Sequence, residues 1–284
     1  MFWLLRYQHR RRIFADIHRL DPQTQHEQIV FLSGAYHFPF AAQRALEFAL
    51  FRTYAVPSIS ALLDQTGNFR HHGQKRYDDT ALIIAEMGEH GYSSPRGQAA
   101  IRRMNALHGR FAISNDDFLY VLASFIYEPE RWNKLLGWRR STEHERLAYF
   151  YFWRAIGQQM GIQNIPASYD EFYEFMEAYE RDHYRYAPSN ARVARASLGV
   201  FLNWFPRPLW PLIRRIVYAA MEPALAQALG FPVVHPLERR LLRGLLRGYA
   251  LWARFFPPRR EPYRFTHVPN RTYPHGYQID DLGS

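Results

Sequence analysis

The feature that most constrains this chain is a pair of helical segments joined by a short helix-breaking turn. Apolar residues in 81–87 recur with the spacing of a helix, and residues 88–95 then interrupt that pattern with glycine, serine and proline. Ser94 followed by Pro95 is typical of an N-cap and a first helical position, so a second helix is expected to begin there. Residues 74–110 are therefore predicted to form a helical hairpin.

The hairpin brings polar side chains to similar heights. Thr80 lies about ten residues before the turn and His108 about thirteen after it, so at roughly 1.5 Å per residue the two fall within about one helical turn of each other. Arg76, Asp79 and Thr80 are spaced i, i+3 and i+4 and share one face of the first helix. If that face looks towards His108, the hairpin offers an imidazole on one side of a slot and polar groups on the other, which suits a haem site.

Composition limits both the fold and the kinds of metal site. The chain has 284 residues, of which 48% are hydrophobic, and no cysteine. This length can bury one sizeable core, and helix signals along the chain predict an all-α fold: a single globular domain of about ten or more helices. The absence of cysteine excludes disulfides, thiolate haem ligation, iron–sulfur clusters and cysteine zinc sites. A metal would have to be held by histidine or carboxylate side chains.

Three parts are expected along the chain. Residues 1–20 are predicted to form a basic helix, residues 21–260 the helical domain that holds the hairpin, and residues 261–284 an irregular tail that wraps the domain. Capping patterns set several boundaries within the domain. They predict a helix from Asp21-Pro22 to about Tyr36, one from Asn115 to about Tyr127, one opened by a Thr142/Glu145 capping box, and one from Pro208 and Pro211 towards Gly230.

Positive charge is concentrated near the two ends of the chain. Residues 1–20 carry five basic and one acidic side chain, and residues 190–260 carry twelve and two. In the second region the arginines alternate with aromatic groups, which is typical of amphipathic helices on an anionic membrane surface. An arginine-rich solvent face is the equally simple alternative. No recognition motif accompanies the charge, so nucleic acid is not expected as a partner.

The sequence contains no run of about 18 uncharged apolar residues, so a membrane-spanning helix is not predicted. The opening residues 2–5 are apolar and are followed by arginines, an order that fits either the remnant of an anchor or a basic helix start. The expected location is cytoplasmic, either free or peripheral on the membrane.

Several motifs in a fixed order resemble those of a known family. They are Phe51-Arg52-Thr53-Tyr54-Ala55-Val56-Pro57, Arg76-Tyr77-Asp78-Asp79-Thr80, Ala106-Leu107-His108-Gly109-Arg110, Asn115-Asp116-Asp117-Phe118, Glu128-Pro129-Glu130-Arg131-Trp132 and Tyr273-Pro274-His275-Gly276-Tyr277. Together they resemble the catalytic domain shared by MpaB-type oxygenases and latex-clearing rubber oxygenases, more closely the MpaB branch. The likeness covers nearly the whole chain.

The resemblance implies a haem b cofactor held by one proximal histidine. It also implies that O₂ serves as co-substrate to cleave a carbon–carbon double bond in a hydrophobic, prenyl-type substrate. Carried over by position, His108 is the iron ligand, and Arg76 and Thr80 match the polar residues of the haem pocket. Asp79 completes the predicted catalytic set, either in proton transfer or in a simple ion pair.

The sequence departs from the rubber oxygenases at two places. They carry a lysine where this chain has Asp79, so a distal lysine ligand is not expected from that position. They also carry a glutamate base on the preceding helix, where this chain offers only Ser58, Ser60 and Asp64. The general base is therefore not assigned by the resemblance.

Other functions stay open on the sequence alone. A non-catalytic haem carrier or sensor would share His108, and a cofactor-free basic membrane-binding protein would not absorb visible light. Glu177, Glu180 and His183 have the spacing of half a carboxylate di-iron site, but no second half is present, and a solvated acidic face is the simpler interpretation. The pair His71-His72 is expected at the surface. Hydrolase, zincin and nucleotide-binding motifs are absent.

Overall fold

The computed structural model describes residues 2–256 and 258–283, and within these ranges it consists of helices and their connections. The predicted all-α, single-domain fold is confirmed. The α-helices are α1 (Phe2–Arg19), α2 (His26–Leu32), α3 (Pro39–Tyr54), α4 (Pro57–Gln65), α5 (Asn68–His71), α6 (Gly73–His90), α7 (Pro95–His108), α8 (Asn115–Leu136), α9 (Glu143–Gln159), α10 (Tyr169–His183), α11 (Pro188–Leu202), α12 (Trp210–Ala220), α13 (Pro223–Ala228) and α14 (Pro236–Ala253). A π-helical turn follows α2 at Ser33–His37.

Helix α8 passes through the centre and contributes to two hydrophobic cores. Its first half joins α6, α7, α9 and α10 in one core, where Tyr120 and Ile126 are buried. Its second half joins α3, α11, α12 and α13 in the other, where Trp132 and Leu135 are buried. Burial on both sides explains why so long a helix forms here, since tertiary packing supplies most helix stability in proteins.

Helices α6 and α7 form the predicted hairpin. Ser94 caps α7 by accepting a hydrogen bond from the Gly97 backbone N–H at 3.0 Å, and Pro95 occupies the first helical position. Gly91 has a φ of +83°, a conformation that favours glycine, and it closes the turn. A Cβ at Gly97 would clash with the backbone of Gly91 and Tyr92, so the first turn of α7 packs against the preceding turn at a distance that only glycine allows.

Three helix boundaries differ from the prediction. Asp21 forms a turn with the backbone N–H groups that follow it, and α2 begins only at His26. Helix α8 continues through Pro129, because its second half is buried and packing outweighs the lost backbone hydrogen bond. The helix expected to run towards Gly230 divides into α12 and α13, because Met221 is extended and Pro223 starts a new helix.

The C-terminal segment returns to the hairpin. Tyr273 donates its hydroxyl to Asp79 at 2.6 Å, and the Thr272 backbone N–H donates to Asp78 at 3.1 Å. Tyr277 donates to Glu86 about two turns further along α6, at 2.5 Å. Three buried carboxylates of one helix thus hold the tail.

Within the described residues, no single helix has both the length and the apolar character needed to cross a bilayer. Helices α3 and α4 meet the requirement only as a pair, and they are bent by 98° at their junction. Helix α3 lies in the second core, with Ala41, Ala45 and Phe48 buried.

Candidate active site

A cavity of about 740 Å³ lies against the hairpin and extends to α4, α8 and α10. Arg76, Asp79, Thr80 and His108 all line it, so the structure brings together the four residues singled out from the sequence. Most of the remaining wall is apolar, with Ile59, Leu62, Ile83, Leu107, Phe118 and Trp153 among its members. The volume lies within the range of about 300–1,000 Å³ found for small-molecule and cofactor sites. We call this cavity the His108 chamber.

His108 is the last residue of α7 and is half-buried in the chamber wall. Burial and the nearby Arg76 cation lower the pKa of its imidazole to about 4, so the ring is neutral at physiological pH. Its Nδ1 is buried and has no hydrogen-bond partner among the described residues. The ring meets the edge of Phe118 with 5.5 Å between ring centroids. Neutral imidazole is the form in which histidine binds a metal ion.

Arg76 supplies the positive charge that faces His108. Its guanidinium donates to the Thr80 hydroxyl and lies 5.5 Å from the centre of the Phe69 ring. No carboxylate of the described residues is within ion-pair distance of it, and burial lowers its pKa. A half-buried guanidinium without a carboxylate partner is suited to binding an anionic group of a ligand.

Asp79 is almost fully buried, and both of its oxygens are engaged. Lys75 pairs with Oδ2 at 2.8 Å, and Tyr273 donates to Oδ1 at 2.6 Å. Of the two roles left open by the sequence, these contacts favour the ion pair. The same carboxylate also holds the C-terminal segment against α6.

The region before the hairpin contributes a hydroxyl to the chamber, and this hydroxyl contacts a carboxylate of α8. Ser60 is buried in hydrogen bonds with α11, and Asp64 pairs with an arginine of the same helix, so neither lines the chamber. Ser58 does line the chamber, and it donates to Asp117 at 3.0 Å. Tyr179 donates to the same carboxylate oxygen at 2.5 Å.

Sequence reasoning missed this group. Asp117 lies in one of the ordered motifs and suits the helix dipole near the N-terminus of α8, but neither signal indicates its partners. Its partners Ser58 and Tyr179 come from α4 and α10, far away in the chain. No spacing rule connects residues on three separate helices, so only the tertiary structure could reveal the cluster.

The acidic stripe of α10 serves another purpose than metal binding. Glu180 accepts from Arg52 at 2.9 Å, and the same guanidinium binds Glu128 at 2.5 Å and Glu222 at 2.7 Å. The described residues contain no group of three histidine or carboxylate side chains arranged to hold a metal ion. The carboxylate di-iron alternative at 177–183 therefore receives no support from the described residues. A haem needs only one protein ligand, so this result does not bear on His108.

The residues that form this site lie within a region that is similar in sequence to a known protein family. The sequence model of one family, described as the ER-bound oxygenase mpaB/B'/rubber oxygenase catalytic domain, matches residues 34–255. This chain belongs to that family. The match includes the hairpin, most of the chamber wall and the Arg52 cluster, and it confirms the resemblance drawn from the ordered motifs.

Individual MpaB-type oxygenases are similar in sequence to this chain over most of its length. The ER-bound oxygenase mpaB' of Penicillium brevicompactum is 30% identical over 241 residues, which are 78% of this chain and 57% of that protein. The ER-bound oxygenase mpaB of Penicillium roqueforti (strain FM164) is 31% identical over 210 residues, 68% of this chain and 70% of that protein. A second mpaB, from Penicillium brevicompactum, is 31% identical and is covered over 56% of its length. The chain thus spans just over half the length of two of these relatives, and membership in a family of oxygenases supports an oxidoreductase.

Proposed function

We propose that this protein is a haem b-dependent oxygenase that uses O₂ to cleave a carbon–carbon double bond in a hydrophobic, isoprenoid-like substrate. The observation that carries the proposal is His108, a neutral imidazole with a buried, unpartnered nitrogen in the wall of a mostly apolar chamber of about 740 Å³. Family membership supports the oxygenase part. The fit of the chamber supports the cofactor and the apolar substrate.

Each chamber residue then has a defined task. His108 would hold the haem through its imidazole, and the haem would supply redox-active iron for O₂ chemistry. Arg76 pairs with an anionic group of the cofactor or substrate, and Thr80 fixes the direction of its guanidinium. The apolar walls exclude water and hold the alkene, because a hydrocarbon gains free energy on leaving water.

The chamber offers Asp117 as its proton acceptor. Asp79 is held by the Lys75 cation, so we assign it to structure rather than to proton transfer. Ser58 and Tyr179 both donate to Oδ1 of Asp117, which leaves Oδ2 without a side-chain partner among the described residues. We propose that Oδ2 takes up a proton in the reaction.

The test is the visible spectrum of the purified protein after haem supply, compared with that of a His108→Ala variant. A Soret band in the parent that is lost or shifted in the variant is the expected result. His71→Ala serves as the matched control, since His71 is exposed and does not line the chamber. A parent that stays colourless after haem titration would contradict the proposal. Substrate-dependent O₂ consumption separates the oxygenase from a haem carrier or sensor.

We also propose that α14 rests on an anionic membrane surface. Leu237, Leu241 and Leu245 are spaced by four residues on one side of α14, and each is more than 60% exposed. Tyr249 and Trp252 continue this apolar stripe at 57% and 58% exposure. Aromatic rings beside basic residues are typical of helices that lie in the interface of a bilayer with anionic lipids.

The charge around the stripe matches an anionic surface. Residues 190–260 carry twelve basic and two acidic side chains, and Arg240 and Arg254 of this region are exposed. The relatives described as ER-bound agree with membrane association. A cytoplasmic face of the membrane is part of this proposal.

Sedimentation with phosphatidylserine vesicles tests the surface. We expect binding that weakens at high salt and is lost in a Leu241→Glu/Leu245→Glu variant. Tyr186→Glu, an equally exposed position outside α14, should bind like the parent. Vesicle binding that the double variant leaves unchanged would refute the surface, and so would a dimer in solution that the variant dissociates.

A further inference from the structure

A second cavity, of about 320 Å³, adjoins the His108 chamber. It lies between α3, α11, α12 and α14. The residues that line both cavities form the wall between them, and we call this wall the partition. Its members are Leu50, Tyr54, Phe69, Arg76 and Thr80.

The second cavity is more apolar than the chamber. Aromatic and aliphatic side chains make up nearly all of its wall beyond the partition, including Phe48, Trp132, Val200, Val217 and Leu246. Its one carboxylate is engaged already, since Glu47 accepts from Tyr77 at 2.9 Å and pairs with Arg44 at 2.5 Å. A ligand for this cavity therefore gains chiefly by burying hydrocarbon.

The partition is built from ring contacts. The Tyr54 and Phe69 rings meet edge to face with 5.4 Å between centroids, and the Arg76 guanidinium lies over Phe69. The Arg76 guanidinium is held by its hydrogen bond to Thr80, whereas the two rings meet only by packing. Rotation of the Tyr54 and Phe69 rings would join the two cavities and leave Arg76 in place.

One side of the second cavity is formed by α12 and by α14, the helix that carries the proposed membrane surface. Ile213 and Ile216 of α12 and Leu246 of α14 form that side. Phe40 also lines the cavity and is 55% exposed, which places part of the wall at the protein surface.

We propose that the second cavity binds the apolar tail of the substrate, while the reacting end of the same chain passes the partition into the His108 chamber. The identity of the reacting end rests on the proposed function. Binding of the tail does not, because it depends on chain length and not on turnover. Binding of the tail and the proposed reaction can therefore be refuted independently of each other.

Calorimetric titration of the haem-supplied protein with geraniol and with farnesol tests the subsite. Farnesol is longer by one five-carbon unit, and burial of that unit should tighten binding by about ten-fold or more. Ala220→Phe and Val200→Phe fill the second cavity from two different helices. Each filled variant should reduce the gain to less than about three-fold while geraniol binding stays near that of the parent. Ala106→Phe, an exposed position of α7 outside both cavities, should keep the full gain.

The outcomes divide clearly. Circular dichroism identifies the filled variants that fold, and two independent variants are available for the test. A farnesol gain that survives filling, or an equal loss for both alcohols, would overturn the subsite. A gain that filling removes, in a protein that consumes no O₂ with farnesol, would support the subsite and refute the proposed reaction.

Discussion

Arg52 shows at the residue scale how a buried charge organises the fold. Its side chain is 3% exposed and binds Glu128 of α8, Glu180 of α10 and Glu222 beside α13. The neighbouring carboxylates raise the pKa of the guanidinium, so it stays charged. One side chain thereby connects α3 to three other elements.

Arg52→Met should lower the free energy of unfolding by about 3–5 kcal/mol, because removing one partner of a buried ion pair leaves the others uncompensated. Denaturant unfolding followed by circular dichroism measures the change. Arg192→Met is the matched control, since its pair with Asp64 is at the surface and its loss should shift the midpoint little. Equal effects of the two substitutions would show that burial is not the cause.

His37 adds a pH dependence to the stability. Burial and the Arg139 cation lower the pKa of its imidazole to about 4. The pKa of a histidine in the unfolded chain is about 6.5. The unfolded chain therefore takes up this proton first as the pH falls. Stability should be full above about pH 6.5 and should decrease between about 6.5 and 4.

Thermal unfolding measured between about pH 6.5 and 4 tests the contribution of His37 to the pH dependence of stability. His37→Gln keeps a hydrogen-bond acceptor for Arg139 and should flatten the decrease between pH 6.5 and 4. His71→Gln, at an exposed position, should follow the parent. An unchanged slope in His37→Gln would assign the acid sensitivity to other groups.

The α6–α7 hairpin depends on a close contact between the first turn of α7 and the turn that precedes it. Gly97 lies against the backbone of the turn, where a Cβ has no room. Gly88, on α6, has no described atom within 4 Å of its Cβ position. Gly97 is therefore required by a close backbone contact, whereas Gly88 is not. Alanine substitutions at the two positions should have opposite effects on stability.

Gly97→Ala should destabilise the protein by about 1–3 kcal/mol, because its methyl group forces the turn and α7 apart. Gly88→Ala should stabilise it by about 0.5–1 kcal/mol, since alanine loses less backbone freedom in a helix. Chemical denaturation of both variants gives the comparison. Stabilisation by Gly97→Ala would contradict the close packing of α7 against the turn.

The molecule as a whole is completed by its C-terminal segment. Leu282 is fully buried in the first core. Its carbonyl accepts a hydrogen bond at 2.6 Å from Arg103 of α7, which lies 179 residues earlier in the chain. Gly283 lines the His108 chamber itself. The end of the described chain is thus part of the core and of the site.

Leu282→Ala should cost about 2–5 kcal/mol, the range for a buried leucine. Val268→Ala, in the same segment but 43% exposed, should change stability by no more than about 0.5 kcal/mol. Thermal melting reports both. A small effect at Leu282 would show that the segment contributes little to the core.

Sequence signals were enough to predict the helical class, the hairpin and four residues that line the His108 chamber. These follow from local signals: the Ser94-Pro95 cap, the helical spacing of 81–87, and motifs whose order matches a family. Local capping and periodicity act within a few residues, so they can be read without a fold. The extent of α8 beyond Pro129 was not predicted, because burial in the second core decides it.

Only the tertiary structure decided which distant groups meet. It placed Asp117 beside Ser58 and Tyr179, gave Glu180 to Arg52 instead of a metal, and joined a second cavity to the chamber through one wall. The physical reason is the same in each case. Hydrogen bonds, ion pairs and cavities depend on distances between helices far apart in the chain, and no local pattern specifies those distances.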